Sequence, residues 1–338
     1  MSHYSVAIVG FGRVTSSHIN ALKQIPNVNI VAIVSNHLTQ NEYDKTKIYG
    51  DLPVFKTIDA LIDSNVKVDV IDICSRPDFH KEQVIQAARA GKHLIIEKPI
   101  ALNLYDCKAI EDAVETSKVQ ACVCFECRFS DQFEKTKHAI ETYLGEIRYR
   151  NVSYFHGIGP QNPEFPWNTK ISAGGSSLLS AGCHALDGLL YFMDGAVDSV
   201  YATSTKQTNP DFVAYEYDPI QSIVLNFKDG RIGTLTSNIA HIGRYYFPIH
   251  LSGNRGTLIG NNIYTDSGEH ITLDMKLLGS GNPDDHPYQN QFKAFFKSLT
   301  KNESMEKTNL SIAIKMHEVI EAAALSIKEK RLIYTNEL

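Results

Sequence analysis

Short apolar runs alternate with amphipathic stretches along the first third of the chain. The runs are rich in β-branched residues, which favours buried strands, and the stretches between them space their apolar residues as a helix does. The predicted strands cover residues 4–9, 28–34, 52–55, 69–73, 93–96 and 119–125. Alternation of this kind builds a parallel sheet with right-handed crossovers. The pattern therefore predicts a doubly wound α/β domain over residues 1–125.

The pattern changes after residue 125, where strand-like runs follow one another with short turns between them. These runs cover residues 148–155, 197–205, 222–227, 232–239 and 247–251. Asp229 and Gly230, between two of the runs, are typical of a tight hairpin. Successive hairpins favour an antiparallel sheet, and helical patterns at 289–299 and 310–329 end the chain. We therefore expect a second domain of the α+β class over residues 126–338.

Composition narrows the functional classes. The chain has 338 residues and a formal net charge of -5 without a basic cluster, which argues against a nucleic-acid partner. The sequence enters its first strand without the pattern of a signal peptide, and no apolar run approaches the ~20 residues of a membrane-spanning helix. We expect a cytoplasmic protein without a membrane partner.

Three of the six cysteines form a C-x-C-x-x-C cluster at Cys122, Cys124 and Cys127. A closed zinc site needs four ligands, and along a strand Cys127 would point away from the other two. We therefore expect buried, reduced thiols and no metal site.

A glycine-rich loop follows the first predicted strand and precedes a helix. The first glycine of such a loop permits a tight turn, the second lets the backbone approach a pyrophosphate, and the helix N-terminus supplies amide donors. The loop predicts a dinucleotide site, against the alternative of an ordinary strand-to-helix turn; its residues are Gly10, Phe11, Gly12, Arg13 and Val14. The third position of the motif is Thr15 instead of the usual Gly or Ala.

The end of the second predicted strand carries Ser35, Asn36 and His37. An acidic residue there would bind the adenosine ribose and repel a 2′-phosphate. Because no acidic residue is present and Arg13 begins the neighbouring helix, the sequence favours NADP(H) over NAD(H) as the form of NAD(P) bound.

The segment HLIIEKPIA places Lys98 directly after an apolar strand, between Glu97 and Pro99. Ligands bind at such strand ends in open α/β sheets, and an ammonium there can donate to a substrate oxygen. The chain also carries, in order, Gly10-x-Gly12, His18, Gly174-Gly175 and Gly182-Cys183-His184-Ala185-Leu186-Asp187. With this ordered set it resembles the glucose-fructose oxidoreductase, inositol dehydrogenase and MocA family over nearly its whole length.

The resemblance implies a Rossmann domain and a C-terminal domain with a large, mostly antiparallel open sheet that often forms homodimers or homotetramers. It implies NAD(P)-dependent hydride transfer on a sugar, cyclitol or related polyol. By position, Lys98 would contact the reacting oxygen and His184 would be the acid/base. The remaining cofactor contacts would come from Cys74, Ser75, His80 and Glu97.

An imidazole such as that of His184 titrates near neutral pH and can accept the hydroxyl proton, while an ammonium stabilises the developing alkoxide. The aspartate that usually precedes the histidine in this family is Ser180 here. Asp187, one turn after His184, can lie near the imidazole. The candidate substrate contacts are Ser180, Arg128, Tyr154, His156, Trp167 and Asp187.

Two other functions remain open. Ser180 gives some support to a cofactor-binding regulator that has lost turnover. Some relatives perform redox-assisted hydrolysis or elimination on sugars with a tightly retained cofactor. The presence of both Lys98 and His184 favours chemistry over pure regulation.

Overall fold

The computed structural model of the protein describes residues 3–338. Its strands are β1 Tyr4–Val9, β2 Val28–Val34, β3 Val54–Phe55, β4 Val70–Ile73, β5 His93–Ile96, β6 Ala121–Val123, β7 Ile147–Val152, β8 Tyr154–Phe155, β9 Val197–Thr205, β10 Ile220–Phe227, β11 Ile232–Asn238, β12 Ile249–Gly253, β13 Gly256–Ile259, β14 Asn262–Thr265, β15 His270–Thr272 and β16 Ile333–Tyr334.

The helices are α1 Arg13–Leu22, α2 Gln40–Asp44, α3 Ile58–Ile62, α4 Pro77–Arg89, α5 Leu104–Ser117, α6 Asp131–Ala139, α7 Phe165–Asn168, α8 Ile171–Gly174, α9 Cys183–Tyr191, α10 Tyr288–Lys301 and α11 Leu310–Glu329. Single π-turns at Ile140–Leu144 and Leu178–Gly182 lead out of α6 and into α9. None of the helices described over residues 3–338 is both long enough and apolar enough to cross a membrane.

The chain divides into two compact units. Unit 1 contains residues 1–126 and 282–314, and unit 2 contains residues 127–281 and 315–338. The sequence pattern placed everything after residue 125 in the second domain. Residues 282–314 pack with unit 1 instead, because α10 presents apolar and aromatic side chains to α1, with the Phe292 ring 4.9 Å from that of His18.

Unit 1 is built on a parallel sheet of six strands in the order β3-β2-β1-β4-β5-β6. The doubly wound parallel sheet predicted from the sequence is confirmed, and its strand order switches direction between β1 and β4. The inner strands are buried on both faces, as continuous apolar runs require, and Val6, Ala7 and Ile8 have no exposed surface. The carboxyl ends of β1, β4 and β5 therefore deliver the glycine loop, Cys74 and Lys98 to one edge of the sheet.

Unit 2 is built on a ten-stranded sheet in the order β15-β14-β13-β12-β7-β11-β10-β9-β16, with β8 pairing beside β11. Most pairs are antiparallel, and the predicted hairpin joins β10 to β11 through Gly230 at φ +80. Two pairs are parallel, β7 with β11 and β8 with β11. Helix α9 packs closely on this sheet, since a Cβ added at Gly233 would lie 2.8 Å from the Leu189 side chain. The α+β class and the mostly antiparallel sheet are confirmed.

Candidate active site

The loop after β1 has the geometry of a phosphate-binding turn. Gly10 adopts φ +103, and an added Cβ would lie 2.9 Å from backbone atoms of Cys74 and Ser75. Its amide donates to the Val34 carbonyl at 2.9 Å, which ties β1 to β2. Only glycine fits here, because both the backbone angle and the neighbouring strand end exclude a side chain.

Gly12 is the N-cap of α1 and faces open space. An added Cβ at Gly12 would meet no atom within 4 Å, and the first turn of α1 carries no acidic side chain. Thr15, at the third position of the motif, is buried and its Oγ1 accepts from the Gly12 amide at 3.1 Å. The loop thus leaves room for a pyrophosphate at a helix N-terminus, and the threonine supports the turn from inside. The residues present fit a dinucleotide.

Two further loop residues have defined contacts. Phe11 packs edge-on against Tyr43 and Tyr49, with ring centroids 6.2 and 6.1 Å away. The exposed Arg13 donates to Asn282 Oδ1 at 3.3 Å, while Val14 is half-buried.

The end of β2 is polar and partly exposed. Ser35 is buried and its Oγ accepts from the Leu38 amide at 3.2 Å, whereas Asn36 and His37 are exposed. A cation that the sequence pattern did not single out lies here: Lys56 Nζ donates to the Asn36 carbonyl at 3.3 Å. Lys56 follows β3, which is the strand next to β2, so its position depends on the sheet order.

The loop after β4 joins the loop after β5 through His80. His80 is fully buried, and its Nδ1 and Nε2 lie 2.9 Å from the carbonyl oxygens of Pro99 and Ser75. Burial lowers the pKa of this imidazole. Ser75 Oγ donates to Gln83 Oε1 at 2.5 Å. His80 therefore holds the two strand ends together, and the cofactor contact that the resemblance implies for it stays a prediction.

Lys98 is half-buried at the end of β5, and its neighbour Glu97 is tightly held. Glu97 Oε2 accepts from the Lys98 amide at 3.0 Å, and Oε1 accepts from the Tyr288 hydroxyl at 3.0 Å. His18 Nε2 lies 2.9 Å from the same Oε1. Burial alone would raise the pKa of Glu97, but His18 and Lys98 outweigh it and the pKa is lowered. The carboxylate is ionised, which suits a role in orienting the segment around Lys98.

In unit 2, His184 lies in the first turn of α9 within an aromatic cluster. The imidazole is 4 % exposed, and its ring stacks on Tyr154 at 6.2 Å. Tyr154 in turn bonds His156 Nδ1 through its hydroxyl at 3.1 Å, and Tyr245 lies edge-on to both rings. His184 Nδ1 faces the Cys127 sulfur at 3.6 Å. Three of the predicted residues, His184, Tyr154 and His156, are thus brought together.

Arg128 and Asp187 form a buried ion pair. The Arg128 Nε lies 2.9 Å from Asp187 Oδ2 and the Nη2 lies 2.7 Å from Oδ1, with side chains 6 % and 2 % exposed. The guanidinium also stacks over the Tyr191 ring at 4.6 Å. Both residues were expected to contact substrate, and Asp187 to approach His184. The bidentate pairing gives both side chains a structural role, because each buried charge has a matched partner. Their contact with substrate and the approach of Asp187 to His184 stay predictions.

Ser180 lies in the π-turn that precedes α9. Its hydroxyl faces the phenol of Tyr217, whose pKa is raised by burial. The Tyr217 hydroxyl donates to the Asn168 carbonyl at 2.6 Å, at the end of α7. Trp167, on the same short helix, is half-buried. Ser180 and the loop containing Trp167 are therefore linked through one tyrosine that the sequence pattern did not single out.

All six cysteines are free and buried, as expected. Burial raises the pKa of Cys74 and Cys124, so both are neutral thiols at physiological pH.

Two family models match the chain. The model for the oxidoreductase family with an NAD-binding Rossmann fold matches residues 4–125, and the GFO/IDH/MocA C-terminal domain matches residues 133–259. Together they cover most of the sequence in the expected order. The chain belongs to the GFO/IDH/MocA oxidoreductase family.

The relatives of this chain include named dehydrogenases. Myo-inositol 2-dehydrogenase of Thermotoga maritima is 27% identical over 258 residues, which is 76% of this chain and 75% of that one. D-glucoside 3-dehydrogenase of Escherichia coli is 27% identical over 314 residues, 87% of each chain. Among solved structures, scyllo-inositol dehydrogenase from Lactobacillus casei, bound to NAD(H) and scyllo-inositol, has a TM-score of 0.82 at 18% identity and 99% coverage of both chains. The last comparison shows a shared fold.

Proposed function

We propose that this protein transfers a hydride between a nicotinamide dinucleotide and a secondary alcohol or ketone of a sugar or cyclitol. The observation that carries the proposal is the strand-end edge of unit 1, where an open Gly12 loop and Lys98 follow strands of one parallel sheet. Ligands bind at this edge in doubly wound sheets. The activities named for the inositol and glucoside dehydrogenases support the substrate class.

Lys98 and His184 are assigned separate tasks. The nicotinamide, when bound, accepts or supplies the hydride. The Lys98 ammonium donates to the reacting oxygen and stabilises the negative charge that develops there. His184 takes the hydroxyl proton during oxidation and returns it during reduction. We assign the transfer of the substrate proton to Nε2 of His184, because Nδ1 faces the Cys127 sulfur.

Substitution of Lys98 tests the proposal most simply. Lys98→Met should lower kcat by about a hundredfold or more, the range for losing one charge-stabilising donor, while the Kd for cofactor changes less than about threefold. Lys108→Met, at an exposed position on α5, is the control and should retain wild-type turnover. Unchanged turnover in Lys98→Met would remove the assigned role.

His184→Asn separates proton transfer from packing. The amide keeps a polar group in place but cannot accept and return a proton near neutral pH, so the acidic limb of the kcat profile should disappear. Persistence of that limb would place the base elsewhere. Cofactor binding without turnover on any sugar or cyclitol would instead support the regulator.

For the cofactor, the family establishes NAD binding, and we further propose a preference for NADP(H). The support is the absence of an acidic residue after β2 and the presence of Ser35, Asn36 and the Lys56 ammonium around that strand end. Hydroxyl, amide and ammonium groups can donate to a 2′-phosphate, and a carboxylate would repel it. Calorimetric Kd values for NADPH and NADH measure the preference; equal values would refute it.

We also propose that unit 2 self-associates through the outer face of its sheet. Adjacent strands carry large exposed apolar side chains on this face, at Tyr201, Val224 and Ile232, and Val224 pairs directly with Tyr201. Such a patch on a soluble sheet is typical of an interface. Light scattering after size exclusion should give a dimer or tetramer, and Val224→Lys should shift it toward monomer. A wild-type monomer at micromolar concentration would contradict the assignment.

A further inference from the structure

His18 lies at the centre of a fully buried polar cluster in unit 1. It projects from α1, the helix that begins at the glycine loop, and has no exposed surface. Nδ1 lies 3.0 Å from both carboxylate oxygens of Asp72 on β4. Nε2 lies 2.9 Å from Glu97 Oε1 at the end of β5. The imidazole therefore bridges two carboxylates on neighbouring strands.

The two contacts constrain the charge of the ring. A neutral imidazole carries one N–H and one bare nitrogen, so it would turn a lone pair toward one of the carboxylates. An imidazolium donates to both. Burial by itself lowers the pKa of His18, but the Asp72 carboxylate and the other groups around the ring together outweigh it, and the pKa is raised well above its usual value. The two hydrogen-bond contacts and the raised pKa therefore both indicate that His18 is a buried imidazolium.

Strand β4, the segment after β6 and helix α10 also contribute groups that face the ring. Strand β4 supplies Asp72, with the Cys74 sulfur 3.2 Å from Nδ1 just after it, and the segment after β6 supplies Cys124. From α10, the Tyr288 and Phe292 rings lie 4.5 and 4.9 Å from the imidazole. Burial raises the pKa of both thiols and of the Tyr288 phenol, so these groups are neutral. The charged partners of His18 in this cluster are the two carboxylates.

Glu97 transmits the position of His18 to Lys98. Its Oε1 binds His18 and Tyr288, and its Oε2 binds the Lys98 amide at 3.0 Å. The carboxylate is thereby held at both oxygens, and the side chain that follows starts from a fixed backbone. The spacing of 2.9 to 3.0 Å between these atoms is that of charge-assisted hydrogen bonds.

We propose that His18 is a positioning residue, a buried imidazolium that fixes Glu97 and so holds Lys98 in place at the end of β5. The role of Lys98 in this statement rests on the proposed function, but the charge of His18 and its hold on Glu97 do not.

The charge is tested by NMR of the full-length protein labelled with ¹⁵N-histidine. The His18 signals are assigned by their loss in His18→Gln. At pH 8 both His18 nitrogens should carry protons, whereas His93, at the opposite end of β5, should be neutral because burial lowers its pKa. A neutral His18 tautomer at this pH would overturn the proposal, whatever reaction the protein performs.

The transmission is tested by a double-mutant cycle on kcat. His18→Gln and Glu97→Gln should each lower kcat by about tenfold to a hundredfold, the effect of a small misplacement of Lys98. The double variant should have a kcat no lower than that of the less active single variant. His93→Gln is the matched control and should keep wild-type kcat. Additive losses would show that His18 does not act through Glu97. Absence of turnover in the wild type would refute the proposed function while leaving the NMR result intact.

Discussion

The same added methyl group should have different effects at the two glycines of the cofactor loop: it should lower the stability of the fold at Gly10 and the affinity for cofactor at Gly12. At Gly10, alanine must adopt φ +103, which costs about 1–2 kcal/mol. Its Cβ must also displace backbone of Cys74 and Ser75 from 2.9 Å, an overpacking cost of about 1–3 kcal/mol. Gly10→Ala should therefore lose about 3 kcal/mol of unfolding free energy.

Gly12→Ala serves as the matched variant. Gly12 has φ -102 and no atom within 4 Å of an added Cβ, so the fold should change by less than about 1 kcal/mol. The methyl group would occupy the space where the pyrophosphate approaches, and cofactor affinity should fall at least about tenfold.

Calorimetry with and without cofactor separates the two effects. For a unit of this size, Gly10→Ala should lower Tm by about 6–12 °C. Wild type at a cofactor concentration of 100 Kd should gain about 2.7 kcal/mol, and Gly12→Ala should lose much of that gain while matching the wild-type Tm without ligand. A Gly10→Ala protein as stable as wild type, or a Gly12→Ala protein with full affinity, would refute the loop geometry.

Three further outcomes are expected. Arg128→Met should lower the free energy of unfolding in urea by about 3–5 kcal/mol, because it leaves the Asp187 carboxylate buried without its partner. The additional change Asp187→Leu should recover part of that loss, and additive losses in the double variant would contradict the pairing. The raised pKa of His18 contributes stability that is fully present below pH ~6.5 and is lost as the pH rises through the pKa of the folded state. The urea midpoint should therefore fall more steeply between pH 7 and pH 9 in wild type than in His18→Gln. Ser35→Asp should weaken NADPH binding at least about tenfold and leave NADH binding nearly unchanged, because the carboxylate repels only the 2′-phosphate; equal weakening of both would count against the site.

The sequence predicted those parts of the fold that depend on local pattern. Strands β1, β2, β4 and β5 were located because continuous β-branched runs of this length are typical of buried parallel strands. Helix α2 was missed although Thr39 and Glu42 form a capping box, a signal that was present in the sequence. The short strands β13, β14 and β15 lack a strong apolar alternation, and nine of their eleven residues are exposed or half-buried.

The site was predictable where residues follow one strand end and unpredictable where distant segments meet. Lys98 and the glycines were located by their place after a strand. The bond from Tyr288 to Glu97 joins residues 191 positions apart, and nothing local to either indicates it. The pairing of Arg128 with Asp187 likewise joins residues 59 positions apart and depends on how α9 packs, so nothing local to either residue indicates it.

The most direct test of the proposed chemistry follows the hydride itself. The protein is incubated with nicotinamide cofactor deuterated at C4 and a panel of keto-sugars and keto-inositols, and the products are analysed by mass spectrometry. We expect one deuterium at the newly formed carbinol carbon of at least one product, and its loss in Lys98→Met. Tight cofactor binding with no deuterium in any product would contradict it.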